Sequence, residues 1–120
     1  MNVRRAFVKG GIDNPLYVAS NGIEGLDLLR SGDVPEDRRL VLLDLNMPKM
    51  NGVEFLIELR ADPKLRPTPV VVLTTSDDER DRRAAYGLNV AGYLLKPIGS
   101  DSFCRLMAAL HAYWSRVEWP

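Results

Sequence analysis

Two short apolar runs leave this 120-residue chain few folds to choose from. They are Leu40-Val41-Leu42-Leu43-Asp44-Leu45 and Pro69-Val70-Val71-Val72-Leu73-Thr74. A strand that lacks polar alternation is buried on both faces, as in a parallel sheet covered by helices. Each run is too short for a buried helix, and Pro48 closes the first. Ala91-Gly92-Tyr93-Leu94-Leu95 is a further strand, and Leu16-Tyr17-Val18-Ala19 a weaker candidate.

Helical signals separate the strands. Val3, Ala6 and Phe7 fall at helical spacing before the stop at Gly10-Gly11. Ser20-Asn21-Gly22 caps a helix with Ile23, Leu26 and Leu29 on its apolar stripe. Gly52 opens another, with Val53, Leu56, Ile57 and Leu59 inward and a stop near Asp62-Pro63. Asp77, Asp78 and Glu79 open a charged helix, where Asp78/Arg82 and Glu79/Arg83 stand at i, i+4. Gly87 ends it. The last helix starts near Ser100, and Phe103, Leu106, Met107, Leu110, Trp114 and Val117 continue its stripe. Cys104 and His111 on this helix read as packing or surface residues rather than ligands. Alternation throughout predicts an α/β fold: a doubly wound parallel sheet with helices on both faces, in one domain over residues 1–120.

Sixteen basic residues balance sixteen acidic ones, which argues against nucleic-acid or anionic-membrane binding driven by net charge. No apolar run approaches the ~20 residues of a membrane span. The opening MNVRRAFVKGG has no signal-peptide core. A single cysteine precludes an internal disulfide. These features predict a cytoplasmic domain.

In open α/β sheets, function sits beyond the carboxyl ends of the strands. Asp44 ends the first apolar run, Thr74 ends the second and Lys96 follows the third. Asp44 also lies within an apolar run, where an unpaired carboxylate is costly. A carboxylate, a hydroxyl and an ammonium on one sheet edge make an anion-handling set.

At these residues the sequence resembles the receiver domain of two-component response regulators. The resemblance rests on Asp44-Leu45-Asn46-Met47-Pro48, Gly52, Val71-Val72-Leu73-Thr74 and Tyr93-Leu94-Leu95-Lys96-Pro97, in order on alternating elements. It implies a flavodoxin-like fold. It makes Asp44 the phosphoacceptor, attacking the phosphoryl group of a kinase phosphohistidine. Thr74 and Lys96 bind the phosphoryl group, and Thr74 and Tyr93 form the switch. Mg²⁺ is held by Asp44 and the Asn46 backbone carbonyl, and Lys96-Pro97 is a cis peptide. The partner is a sensor histidine kinase, and a homodimer is compatible with the aromatic last helix. Val72-Leu73-Thr74-Thr75-Ser76, with Tyr113, Trp114, Val117 and Trp119-Pro120, resembles single-domain receivers paired with phytochrome-type kinases.

The resemblance also implies a preceding strand, central in the order 2-1-3-4-5, and an acidic pair that completes the magnesium site. This sequence begins in the helix that should follow, so the receiver is expected to be N-terminally incomplete. About 10–17 upstream residues would account for the difference. The alternative is a truncated or degenerate receiver acting as a phosphorylation-independent interaction module. A haloacid-type phosphatase would want a second acid where Asn46 stands, so no enzyme activity is expected. A flavodoxin-like electron carrier lacks its phosphate loop here.

Overall fold

The computed structural model describes residues 2–119, so Pro120 of the closing aromatic pattern lies outside the described residues. The element order is α1 (Val3–Gly10), α2 (Gly22–Arg30), β1 (Val41–Leu43), α3 (Gly52–Ala61), β2 (Val70–Thr74), α4 (Glu79–Gly87), β3 (Gly92–Leu95) and α5 (Ser100–Trp114). The chain forms two compact units, one of Val18–Leu95 and one that joins the segment up to Tyr17 with the segment from Lys96 onward.

The Val18–Leu95 unit holds a three-stranded parallel sheet in the order β1-β2-β3. Leu43 pairs with Val72, and Val72 pairs in turn with Tyr93. Every residue of β2 is buried, as its unbroken apolar pattern demands. Val70 and Val72 join a core with Leu26, Leu43, Leu45, Phe55, Leu56, Leu59, Leu65, Ala85 and Val90. In the other unit α1 packs against α5, with Ala6, Phe103 and Met107 buried. The Trp114 ring lies 5.5 Å from Tyr113 and 5.2 Å from Trp119.

Local chemistry fixes the helix ends. Gly11 takes φ 67° after α1, a left-handed cap that suits glycine. Asn21 caps α2, and Asn51 with Glu54 forms a reciprocal capping box on α3. Gly52 has no room for a side chain: a Cβ there would stand 2.6 Å from Leu45 Cα and 2.7 Å from the Asp44 carbonyl oxygen. The Gly52 amide donates to the Leu45 carbonyl at 3.1 Å. The start of α3 is therefore pressed against the backbone that carries Asp44.

Several expectations need correction. Leu16-Tyr17-Val18-Ala19 forms no strand, and Tyr17 and Val18 are exposed. A strand exists through its ladder partner, and no described residue offers this segment one. The outer edge of β1 has no strand partner among the described residues either. Ile23 and Ile57 are exposed rather than inward, while Phe55 takes a core position on α3. Arg82 pairs with Asp77 and Asp78 with Arg80; only Glu79–Arg83 keeps its i, i+4 partner. The helix ends before Val117. No cis peptide occurs among the described residues, so Lys96-Pro97 is trans.

Arg60, at the end of α3, forms a clasp that periodicity did not reveal. Its guanidinium donates to the carbonyls of Arg66 (2.6 Å), Thr68 (2.8 Å), Leu88 (2.8 Å) and Asn89 (3.1 Å). These carbonyls lie on the two loops that lead into β2 and β3. Partial burial lowers the guanidinium pKa without approaching neutrality.

Arg60→Ala should destabilise the fold by about 2–3 kcal/mol in urea unfolding, because hydrogen bonds from a charged donor are lost. Arg60→Lys should recover only part of this, since an ammonium lacks the planar fork. Gly52→Ala should cost about 1–3 kcal/mol through overpacking; its amide spectrum should shift at residues 44–46.

Candidate functional site

Asp44 sits one residue beyond β1 and is half-buried. Its Oδ1 accepts the Asn46 amide at 2.9 Å and the Thr74 hydroxyl at 3.0 Å. The first bond is an Asx-type turn that bends the chain away from the strand. The second comes from the last residue of β2, whose side chain is wholly buried. Two donors on one oxygen fix the carboxylate's orientation and offset its removal from water.

Thr74 Oγ1 also accepts the Ser76 amide at 3.2 Å. Ser76 is joined to further groups, among them the Asp78 amide at 3.5 Å. Its carbonyl accepts the Tyr93 hydroxyl at 2.8 Å, and its own hydroxyl donates to Asp81 Oδ2 at 2.6 Å. Tyr93, opposite Val72 in the ladder, packs its ring against the core. Burial pushes its phenol pKa up, the Ser76 bond opposes this, and nearby Asp81 adds to it. The phenol therefore stays protonated and able to donate. A continuous set of hydrogen bonds runs from Asp44 through Thr74 and Ser76 to Tyr93.

The expected site residues fall as follows. Asp44, Thr74 and Asn46 come together, with Asn46 exposed and its amide nitrogen 3.4 Å from Thr75 Oγ1. Tyr93 joins them only through Ser76. Lys96 directly follows β3, is partly buried and belongs to the other compact unit. Sequence reasoning missed Ser76 and Asp81 as site components. Asp81 lies in the charged stretch that opens α4, and nothing in its spacing distinguishes it from the neighbouring acids.

The described residues do not build a magnesium site alone. No group of three or more His, Cys, Asp or Glu side chains is placed to hold a metal among them. Asp44 and the Asn46 carbonyl supply two oxygens, whereas Mg²⁺ demands a near-octahedral shell. An open groove of about 400 Å³ lies beside them, lined by Leu45, Asn46, Met47, Asn51, Val53 and Asp81. No described helix is long and apolar enough to cross a membrane.

Comparison with known proteins agrees with this geometry. The family described as "Response regulator receiver domain" matches residues 2–108. The chain is 38% identical over 116 residues to the probable methanogenesis regulatory protein FilR2 of Methanothrix harundinacea, covering 95% of this chain and 75% of that one. It is 37% identical over 106 residues to response regulator Rcp1 of Synechocystis, covering 86% and 72%. The Mn²⁺-bound crystal structure of Rcp1 superposes with a TM-score of 0.85 at 31% identity, covering 98% of this chain and 90% of that one. The phosphorylated cyanobacterial phytochrome response regulator RcpA gives 0.84 at 29% identity, covering 98% and 89%. Its parallel α/β architecture and these relatives place the chain in the response regulator receiver family, with a flavodoxin-like fold and a phosphoacceptor role in two-component signalling.

Proposed function

We propose that Asp44 is the phosphoacceptor of this receiver and that its phosphorylation is read out through Thr74 and Tyr93. One observation carries the reading: the Asp44 carboxylate, at the carboxyl end of β1, is held by the hydroxyl that ends β2. An Asp44 oxygen attacks the phosphoryl group of a phosphohistidine, forming the O–P bond as the P–N bond breaks. The imidazole leaves with the electron pair and takes up a proton. Such a transfer needs positioning and charge neutralisation more than covalent help.

The phosphoryl group brings roughly −1.5 to −2 charges and new acceptor oxygens. Thr74 already donates to the carboxylate, so its hydroxyl is placed to transfer that bond to a phosphoryl oxygen. Lys96 is assigned to charge neutralisation from the matching Lys-Pro after β3. Movement of Thr74 Oγ1 pulls on the Ser76 amide, and Ser76 also anchors Tyr93. The readout is therefore a change in the loop after β2 and in the Tyr93 ring, presented to a protein partner.

The family binds Mg²⁺ or Mn²⁺, and Rcp1 is known in a Mn²⁺-bound form. In this chain Asp44 and the Asn46 carbonyl are the two oxygens assigned to the metal. Receivers act with histidine kinases, and we assign a phytochrome-type kinase as the donor, supported by the likeness to RcpA. Homodimerisation through the last helix is a further part of this reading. The phosphorylation-independent module is the less favoured alternative, because the matched relatives include a phosphorylated receiver.

Incubation with acetyl phosphate and Mg²⁺ should add one phosphoryl group, seen by intact-mass spectrometry. Two metal-binding oxygens predict that uptake is slow. Asp44→Asn should gain none; equal gain by both proteins, or none by either, contradicts the assignment. Thr74→Val keeps the volume but removes the donor. It should slow uptake about tenfold, the equivalent of one charge-assisted hydrogen bond of about 1.4 kcal/mol.

A further inference from the structure

We propose that the Ser76–Asp81 hydrogen bond is a latch that holds the Tyr93 ring in its inward position. Ser76 is bound at three points, and its hydroxyl oxygen also accepts the Asp78 amide in a long contact of 3.5 Å. Its amide reaches Thr74 Oγ1, its carbonyl takes the Tyr93 hydroxyl, and its side chain donates to Asp81 at 2.6 Å. The first two bonds tie Ser76 to the site and to the ring. The third ties it to the first turn of α4, where Asp81 stands among Glu79 and the Asp78 cap.

The latch has a geometric consequence. Ser76 lies in the short segment between β2 and α4, outside either regular element. Without the bond to Asp81, its carbonyl is held only by the backbone of that segment, by the bond from the Ser76 amide to Thr74 Oγ1 and by the long contact with the Asp78 amide. Tyr93 has its hydroxyl anchored on that carbonyl, so loosening it frees the ring to turn outward. Asp81 also faces the groove shared with Asn46 and Met47, beside the phosphoacceptor loop. A partner or ion entering the groove would meet the carboxylate that sets the latch.

Asp81 is free of a competing ion pair among the described salt bridges, in which Asp77, Asp78 and Glu79 take Arg82, Arg80 and Arg83. A carboxylate that accepts a hydroxyl at this distance forms a charge-assisted bond, stronger than a neutral one. Ser76 and Asp81 are thus positioning residues that act through Tyr93. This assignment rests on the switch role of Tyr93 proposed above, but the latch itself belongs to the unphosphorylated chain.

The test uses the unphosphorylated protein carrying 3-fluorotyrosine, read by ¹⁹F NMR. Tyr93→Phe assigns the Tyr93 resonance among the four tyrosines. Ser76→Ala and Asp81→Ala should move this resonance toward that of an exposed tyrosine, with the inward-to-outward ratio falling about tenfold, or about 1.4 kcal/mol. Asp81→Asn keeps an acceptor oxygen and should hold the resonance near its wild-type position. Either alanine variant, if folded by circular dichroism, decides the matter because the two act on opposite ends of one bond. An unmoved resonance in a folded alanine variant overturns the latch, as does an equal movement in Asp81→Asn. Failure of Asp44 to accept phosphate leaves this result unaffected.

Discussion

The Thr74–Asp44 hydrogen bond is the contact on which the site depends. It joins the carboxyl ends of two adjacent strands through side chains that the parallel register brings together. Each group needs the other. A carboxylate beside an apolar strand requires donors, and a wholly buried hydroxyl requires partners. The bond meets both needs and places the hydroxyl where a phosphoryl group on Asp44 would find it. Thr74 also accepts the Ser76 amide, so the carboxylate is connected to the segment after β2.

The opposite end of the sheet is held by different chemistry. Arg60 gathers four carbonyls from the loops that enter β2 and β3. The amino ends of β2 and β3 are thus gathered by one guanidinium, and the carboxyl ends of β1 and β2 by the Thr74–Asp44 bond. Gly52 adds a further constraint at the carboxyl end, because α3 begins in close contact with the Asp44–Leu45 backbone. The loop that presents Asp44 therefore has little freedom to drift, while the segment after β2 is held by individual side-chain bonds.

Much of this was legible in the residues. Unbroken apolar runs predicted parallel, doubly covered strands; both appear in register, β2 wholly buried and β1 buried only at Leu43. The cap at Asn21 follows from residue type. Asp44 and Thr74 could be placed because each falls at or just beyond the end of a strand with a clear pattern, and Tyr93 through the family resemblance. The errors have physical causes. Leu16–Ala19 has strand composition, yet composition cannot supply a ladder partner. Ile23 and Ile57 have core chemistry but fall off the buried stripes of α2 and α3. Ser76, Asp81 and Arg60 act through bonds to backbone or to distant loops, and such bonds leave no periodic trace.

In the proposed switch, a charge change at Asp44 reaches Tyr93 through the bonds at Thr74 and Ser76. Backbone ¹⁵N spectra recorded as beryllium fluoride and Mg²⁺ are added, with the fluoride complex standing in for the phosphoryl group, test it most directly. The linkage predicts coupled shifts at Thr74, Ser76 and Tyr93 that titrate together and vanish in Asp44→Asn. Shifts confined to Asn46 and its neighbours, with Ser76 and Tyr93 unmoved, would contradict it.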